Sequence, residues 1–291
     1  PRTIFREIRK LPAGHYLIKD RGAPAVLSRY WTLCSQPGPL RTEDEWVEEL
    51  RVRFDRAVAT HLVADVPLGA FLSGGLDSSG MVAAMARAGG KVSTFSLGFP
   101  DGYGDFDERR YARLVAQRFG ADHEEIVVEP QVEQTIHTLA DTFDEPLGDS
   151  GAVPNYLVSR AARERLTVAL SGLGGDELAG GYRRHLGMLV AEWYQRIPRV
   201  ARAEVVRRVV DLLPESRKGV RTLDRAKRFV RHAELPWVER FFGFVTPLER
   251  ERRSALYTPA LRQRVRLDSA AAWMQELADQ QPDSDLLNRV L

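Results

Sequence analysis

The amino-acid sequence predicts an α/β fold, a parallel sheet flanked by helices, that continues into a helical C-terminal part. The first observation is that short apolar segments alternate with amphipathic segments from Pro67 to Leu170, a pattern typical of repeated strand–helix units. The second is that two of the apolar segments run directly into glycine-rich loops that contain an aspartate. The third is that the strand pattern stops past Gly181, where helix-like segments separated by prolines follow.

The chain begins with a short predicted hairpin. The segments GHYLIKD and AVLSRYWTL are extended stretches, and the turn residues RGAP join them. The run QPGP at Gln36–Pro39 can continue neither a strand nor a helix. We therefore predict a domain boundary there, with residues 1–35 as a short β unit and residues 36–291 as the main domain.

The first predicted helix opens at Thr42, and Glu45 three residues later completes a capping box. Apolar residues then recur at helical spacing and are expected to form one buried stripe: Val47, Leu50, Phe54 and Val58. The strands that follow are predicted at 67–72, 92–98, 125–128 and 166–170. The helices between them are predicted at 79–88, 108–119, 132–143 and 155–165. The apolar face of the helix at 108–119 is expected to comprise Tyr111, Leu114, Val115 and Phe119.

The composition is that of an ordinary globular protein and indicates no particular partner. Of the 291 residues, 44% are hydrophobic and 28% are charged, and the formal net charge is +2. The basic residues concentrated between Arg196 and Arg266 lie in helix-like segments such as VARAEVVRRVVDLL, which has no interleaved aromatic residues. This favours a solvated helix face over nucleic-acid binding. With the single cysteine Cys34 and no apolar run long enough to span a membrane, we expect a cytoplasmic protein without membrane partners.

Two strand-end loops point to the chemistry. The segment FLSGGLDSSG places three glycines, three hydroxyls and one carboxylate between a strand and a helix. Gly74 and Gly75 let phosphate oxygens approach the backbone, and a helix N-terminus adds N–H donors. The loop contains no cationic residue, so a bound polyphosphate needs Mg²⁺, for which Asp77 is a candidate ligand. The second loop, VALSGLGGDELAGGY, supplies Asp176 as a second carboxylate.

Other known loop motifs fit this sequence less well. A Walker A loop needs a lysine that neither loop contains. The segment GLGGDE places Glu177 where the third glycine of a dinucleotide fingerprint belongs. Ser73 lacks the glycine two residues before it that a nucleophile elbow needs. A simpler alternative is that both loops are strand-to-helix turns with capping side chains, but two such loops at one sheet edge favour a ligand site.

The segment Ser73–Ser78, SGGLDS, resembles the pyrophosphate loop of N-type ATP pyrophosphatases, the PP-loop proteins with an adenine nucleotide alpha hydrolase-like fold. Within that group the chain is similar to the synthetase domain of glutamine-dependent asparagine synthetases. The segments VSTFSLGF, DERRYARLVAQRFGADHEE, DEPLGDSGAVPNYLVS and VALSGLGGDELAGGYRRH follow in the family's order. IRKLPAGHYL with SRYW resembles the last strands of the family's N-terminal glutaminase domain. The resemblance covers about residues 1–185 strongly and the rest loosely.

The resemblance implies a ligase of asparagine biosynthesis fed by a glutamine amidotransferase domain. ATP adenylates the aspartate side-chain carboxylate and releases pyrophosphate, and ammonia from glutamine then displaces AMP to give the amide. Carried over by position, the ATP-binding residues are Leu72, Ser73, Gly74, Gly75, Asp77, Ser78, Leu97, Ser171 and Gly172. The implied catalytic residues are Asp77, Asp176 and Glu177, and the implied Mg²⁺ ligands are Asp77 and Asp176.

Three departures from the family pattern leave alternatives open. Leu173 stands where asparagine synthetases often have a glutamate near the reacting intermediate. The chain starts downstream of the glutaminase cysteine, and it ends at Leu291 before a lysine-bearing stretch, so we expect a fragment that cannot hydrolyse glutamine. One alternative is an amide ligase with another acceptor or amine, of the lactam synthetase or peptide cyclase type. Another is a nucleotide-binding remnant without catalysis, and a homodimer also stays open.

Several other polar residues near these loops have simpler structural interpretations. His123 lies at a helix-to-strand turn and is expected to be packed or capping rather than catalytic. Asp144, Glu145 and Asp149 either flank the acceptor pocket or serve as turn residues. Arg183 either meets phosphate or is solvated.

Overall fold

The computed structural model describes residues 3–32, 38–100, 107–129, 131–149, 151–202, 208, 221–246, 248, 250–265 and 269–279. The chain divides into two compact units. The first takes the residues up to Thr32 and Gly38–Gly174, and the second begins at Gly175. The domain boundary predicted between residues 35 and 36, like Cys34, falls outside the described residues and stays a prediction.

The first unit begins with the predicted hairpin and helix. Strands β1 (His15–Ile18) and β2 (Val26–Arg29) pair antiparallel. Helix α1 (Glu43–His61) follows, and its predicted capping box is confirmed. The Thr42 hydroxyl accepts a hydrogen bond from the Glu45 N–H, and the Glu45 carboxylate accepts one from the Thr42 N–H.

The buried stripe expected along α1 is wrong for three of its four residues. Val58 is buried, but Val47, Leu50 and Phe54 are exposed, Leu50 to 68%. The reason is that α1 packs on the core through its second half. There Val58 joins the main core cluster, and Asp55 pairs with Arg87 of the next helix.

A four-stranded parallel sheet forms the centre of the first unit and confirms the predicted fold class. Its strands are β3 (Leu68–Phe71), β4 (Ser93–Gly98), β5 (Asp122–Val127) and β6 (Val168–Leu170). Their order is β5-β4-β3-β6, and all neighbouring pairs are parallel. The carboxyl ends of β3 and β6 therefore lie side by side, although the two strands are far apart in the sequence.

Helices pack on both faces of this sheet. The helices of this part of the unit are α2 (Leu76–Ala88), α3 (Arg109–Phe119), α4 (Val132–Thr142) and α5 (Ala152–Ala162). On one face, Leu72 after β3 packs in a cluster with Val82 of α2 and Ala112 of α3. On the other face, Phe95 of β4 packs with Ala162 of α5. The sheet is thus covered as the strand–helix alternation predicted.

Three elements begin three residues before their predicted starts. Helix α2 begins at Leu76, three residues before the predicted start, because Gly75 is extended and acts as its N-cap. Helix α5 begins at Ala152, since Pro154 is tolerated in the first turn of a helix. Strand β5 begins at Asp122 and is longer than predicted, because it pairs with β4 along its whole length.

The apolar face expected on α3 is wrong for two of its residues. Tyr111 and Leu114 are exposed, whereas the residues buried on α3 are Ala112 and Ala116. Both alanines belong to the main core cluster. The close approach of α3 to its neighbours leaves room for small side chains at these positions, so the larger ones point away.

The described elements of the second unit are helices, as the sequence predicts. They are α6 (Gly175–Ala179), α7 (Arg183–Gln195), α8 (Arg199–Ala201), α9 (Arg221–His232), α10 (Trp237–Val245), α11 (Arg250–Leu256), α12 (Pro259–Arg264) and α13 (Ser269–Asp279). Prolines separate several of them: Pro198 and Pro236 precede α8 and α10, and Pro259 opens α12. Pro214 and Pro247 lie outside the described residues.

The second unit has its own small core. Tyr194 and Ala191 of α7 pack with Ala233, which follows α9. Arg240 of α10 is buried and pairs with Glu192 of α7 at 2.6 Å. None of the helices within the described ranges combines the length and the apolar character needed to cross a membrane.

Candidate functional site

The loop after β3 is fastened to the first turn of α2 by its own hydroxyls. The Ser73 and Ser78 hydroxyl oxygens lie 3.0 Å apart, and the Gly75 N–H donates to Ser73 Oγ at 3.2 Å. Ser78 Oγ also lies 3.2 Å from the Gly75 carbonyl oxygen, to which it can donate. Gly75 caps α2 without a side chain. The helix N-terminus therefore presents N–H groups that no capping side chain occupies, which is the chemistry of an anion site.

Gly74 is the residue that allows this loop to pack so closely. Its φ is +80°, a conformation that side chains rarely adopt. A Cβ at Gly74 would lie 2.5 Å from the Ala112 nitrogen and 2.5 Å from the Tyr111 Cβ. The first turn of α3 thus closes one side of the loop.

The loop after β6 lies against the same turn of α2. A Cβ at Gly172 would lie 2.8 Å from the Ser78 nitrogen and 3.1 Å from the Asp77 Cβ. The Leu173 N–H donates to Ser171 Oγ at 3.1 Å, which shapes the start of this loop. The structure therefore brings together the first loop and residues 171–174 of the second, as expected for the carboxyl ends of neighbouring parallel strands.

The predicted nucleotide contacts have different exposures. Leu72 is 1% exposed and its side chain belongs to the core, so its backbone is the part available to a ligand. Its N–H donates to the Phe95 carbonyl oxygen at 2.8 Å. Leu97 and Asp77 are half-buried, and Leu173 is 79% exposed. An exposed leucine thus follows directly after the glycine that touches the helix turn.

The remainder of the second loop belongs to the second unit. The Gly181 N–H donates to the Asp176 carbonyl oxygen at 3.0 Å, and a Cβ at Gly181 would lie 2.1 Å from Asp176 Oδ1. The Tyr182 hydroxyl donates to Glu177 Oε1 at 2.5 Å. This hydrogen bond raises the pKa of Tyr182 above its ordinary value. The pairing of Asp77 with Asp176 stays a prediction from the sequence.

A cation that the sequence analysis did not single out lies at the carboxyl end of β4. A Cβ at Gly98 would lie 2.3 Å from Arg109 Nε, so this guanidinium covers the end of the strand. Arg109 pairs with Asp107 and lies 3.9 Å from Glu125. Its hydrogen bonds lower the pKa of Asp107. The signal in the sequence that could have predicted this contact is Gly98 at the end of a strand, followed by a helix that begins with arginines.

His123 has the packed role that the sequence predicts. Its Nδ1 lies 2.9 Å from Thr94 Oγ1, and its Nε2 lies 3.2 Å from Ser96 Oγ. Thr94 and Ser96 are buried on the neighbouring strand. Burial lowers the pKa of His123, so the neutral imidazole is favoured.

The loop between α4 and α5 is organised by two of its carboxylates. Glu145 pairs with Lys10 of the N-terminal segment, and this contact lowers the pKa of Glu145. Asp149 Oδ1 accepts a hydrogen bond from the Gly151 N–H at 2.9 Å, just before α5. Asp149 therefore has turn chemistry, whereas Glu145 ties this loop to a distant part of the sequence.

The N–H groups and the carboxylate of this site fit a nucleotide that binds together with its own metal cation. Within the described ranges, no group of three or more His, Cys, Asp or Glu side chains could hold a metal ion by itself. Mg²⁺ commonly binds one or two carboxylates together with substrate phosphates. The half-buried Asp77 stands in the same helix turn as the free N–H groups, so the residues fit phosphate first and Mg²⁺ with it.

Comparison with known proteins gives one family. The family model described as asparagine synthase matches residues 49–289. A putative glutamine-hydrolyzing asparagine synthetase 2 of Methanocaldococcus jannaschii is 36% identical over 205 residues, covering 69% of this chain and 39% of that protein. Glutamine-hydrolyzing asparagine synthetase 1 of Bacillus subtilis is 32% identical over 227 residues, covering 77% of this chain and 35% of that protein. The chain thus spans less than two fifths of the length of these curated relatives.

Among solved structures, an NMN synthetase from Francisella tularensis matches with a TM-score of 0.30 and 14% identity. The match covers 44% of this chain and 53% of that one. A similarity of this size carries no functional conclusion.

Proposed function

We propose a function from the premise that this chain belongs to the asparagine synthase family. The proposed activity is that of an ATP-dependent, amide-forming ligase. The side-chain carboxylate of aspartate attacks the α-phosphorus of ATP, and the bond to the β-phosphate oxygen breaks, releasing pyrophosphate. Ammonia then attacks the acyl carbon of the adenylate, AMP leaves, and a proton is lost to give asparagine. The ammonia is proposed to come from glutamine through a glutaminase domain, because the relatives from M. jannaschii and B. subtilis are named as glutamine-hydrolyzing.

The observation that carries this proposal is the contact between the two strand-end loops. The Gly172 backbone lies against the Asp77–Ser78 turn, where the N-terminus of α2 is free of a capping side chain. A helix N-terminus approached only by glycines and serines suits a phosphate group. Two such loops meet at one sheet edge, and the nucleotide is proposed to bind to backbone groups of both loops.

Each residue at this edge has a proposed task. Ser73, Gly74, Gly75 and Ser78 hold pyrophosphate through hydroxyl and N–H donors, which stabilises charge as the leaving group separates. The backbones of Leu72, Leu97, Ser171 and Gly172 contact the adenosine. Glu177, the residue after Asp176, is proposed as a catalytic residue. Asp77 and Asp176 would hold Mg²⁺, which supplies neutralisation of the phosphate charges when bound.

A second candidate function follows from Leu173. Its side chain is 79% exposed immediately after Gly172, and an aliphatic group there can neither exchange a proton with ammonia nor hold it by charge. An amide ligase with the same adenylation chemistry but another acceptor or another amine, as in lactam synthetases and peptide cyclases, fits this residue.

The test is Mg²⁺-dependent exchange of labelled pyrophosphate into ATP by the full-length protein. Aspartate, glutamate and other carboxylic acids are offered in turn, and we expect aspartate to trigger exchange. Exchange that ignores aspartate but responds to another acid would favour the second function. Binding of ATP without exchange for any acid would overturn both and leave a nucleotide-binding remnant.

Asp77→Asn tests the assignment of the metal ligand in the same assay. We expect it to remove exchange with an unchanged melting temperature, because Asp77 is half-buried and outside the core clusters. The matched control is Asp65→Asn, an exposed aspartate in the bend before β3, which should keep full exchange. Full exchange by Asp77→Asn would mean that Asp77 does not bind the metal.

A further inference from the structure

Tyr182 occupies a defined place in the second unit beside the second carboxylate loop. Its hydroxyl donates to Glu177 Oε1 at 2.5 Å. We propose that Tyr182 is a positioning residue for the adenylation step, and that it acts by fixing Glu177 and with it the turn that carries Asp176. This inference rests on the proposed function, in which Tyr182 has no task.

The ring of Tyr182 is held by two neighbours of its own helix start. The Arg184 guanidinium carbon lies 3.6 Å from the ring centroid, and the His185 ring meets it edge-on at 5.7 Å and 80°. The His185 N–H also donates to the Tyr182 carbonyl oxygen at 2.9 Å. The phenol therefore cannot swing away from Glu177 without breaking these contacts.

His185 is the buried residue of this arrangement. It is 3% exposed, and its Nδ1 has no hydrogen-bond partner in the described part of the chain. A buried polar nitrogen normally finds a partner. Because Nδ1 has none, the imidazole is held in place by packing, and its described ring contact is with Tyr182. His185 therefore packs against the Tyr182 ring, and its Nδ1 takes part in no hydrogen bond within the described residues.

The carboxylate turn is consequently fixed at two points. Its backbone is held where the Gly181 N–H donates to the Asp176 carbonyl oxygen at 3.0 Å. Gly181 leaves no room for a Cβ, which would lie 2.1 Å from Asp176 Oδ1. The hydrogen bond from Tyr182 then fixes the side chain of the next residue, Glu177. Asp176 and Glu177 are consecutive residues of the short helix α6, so holding the Glu177 side chain also holds the turn that carries Asp176.

The charge state of the pair suits a permanent donor. Loss of the phenol proton would place a second negative charge beside Glu177, and the hydrogen bond itself raises the pKa of Tyr182. Near neutral pH the hydroxyl therefore stays protonated and keeps donating. The hydrogen bond from Tyr182 thus holds the Glu177 carboxylate in place without any proton transfer.

The first experiment compares Tyr182→Phe with the wild type in the full-length protein. The variant keeps the ring, and with it the Arg184 and His185 contacts, and removes only the donor. Calorimetry of ATP with Mg²⁺ and the Mg²⁺ titration of pyrophosphate exchange are both measured. We expect half-saturation by Mg²⁺ to rise by about two- to twelvefold, the factor for one hydrogen bond, with an unchanged melting temperature. Tyr257→Phe, outside the carboxylate loop, is the control.

A double-mutant cycle separates positioning from a general structural effect. If Tyr182 acts through Glu177, then Tyr182→Phe has no further effect on half-saturation in a Glu177→Ala background. Equal effects of Tyr182→Phe in both backgrounds, or no effect in either assay, would overturn the inference.

The two assays also separate this inference from the proposed function. A wild type that binds ATP with Mg²⁺ but exchanges no pyrophosphate contradicts the ligase, while the calorimetric cycle still decides the role of Tyr182 on the carboxylate turn. A wild type that binds no ATP overturns both.

Discussion

Gly172→Ala is expected to disturb the contact between the two strand-end loops. The added Cβ would lie 2.8 Å from the Ser78 nitrogen, whereas ordinary Cβ contacts begin at 3.4 Å. The difference, 3.4 − 2.8, requires a shift of about 0.6 Å in the surrounding atoms. The nearest atom belongs to the backbone of α2, so no flexible side chain can absorb the shift. Overpacking of this kind costs about 1–3 kcal/mol of folding free energy.

The same shift acts on the reaction more strongly than on stability. A misplacement of 1 Å at a reacting centre can lower the rate by about 100-fold. For the smaller shift we expect a loss of about tenfold in pyrophosphate exchange. The measurements are the initial exchange rate at saturating ATP and the midpoint of urea unfolding.

Gly80→Ala is the matched control, because it makes the same substitution inside α2 itself, where no close contact opposes the added Cβ. The nearest atoms to a Cβ at Gly80 are on the Phe54 ring, at 3.9 Å. Inside a helix this replacement gains about 1 kcal/mol, so the control should be more stable and fully active. If Gly172→Ala keeps both the wild-type exchange rate and the wild-type unfolding midpoint, the loops do not meet as described.

Two further predictions concern titratable groups of the first unit. Burial lowers the pKa of His123 from its ordinary value of 6.5. The imidazole of the unfolded chain therefore binds a proton more readily than that of the folded protein, and the free energy of unfolding should fall as pH drops below about 6.5. His123→Gln should flatten that dependence in urea unfolding between pH 7.5 and 5.5, and an unchanged slope would contradict it. Lys10 lowers the pKa of Glu145, so this contact stabilises above the ordinary pKa of 4.5 and is lost as pH falls below it. Because Lys10 is exposed and the ion pair is screened by water, Lys10→Ala should leave the unfolding midpoint nearly unchanged but speed proteolysis of the α4–α5 loop, and equal cleavage rates would refute this.

The sequence was sufficient to predict the sheet and the loops because both depend on local patterns. Strand–helix alternation implies a parallel sheet, and the carboxyl ends of parallel strands share one edge. The capping box at Thr42 was equally readable, since it needs only two residues at fixed spacing. What periodicity could not provide was the strand order, in which β6 returns beside β3. That order depends on long-range pairing.

Burial was the least predictable property, for a physical reason. An apolar stripe shows that a helix can pack, but its partner decides how far along the helix the packing extends. Leu50 is therefore exposed while Val58 of the same stripe is buried. On α3 the close approach selects Ala112 instead of Tyr111, because the backbone of that turn already touches Gly74. The pairing of Lys10 with Glu145 has no local signal at all.

The charges at the sheet edge bear on how the proposed phosphate site would be neutralised without a lysine. Arg109 lies over the end of β4, but it is already paired with Asp107 and lies near Glu125, so this cluster adds no net positive charge. The partial charges of the N–H groups at the start of α2 remain, together with any cation that the carboxylate of Asp77 can bind. A phosphate bound to such an edge depends on a mobile ion for most of its neutralisation. Such an ion would leave together with pyrophosphate, which agrees with the proposed first step of the reaction.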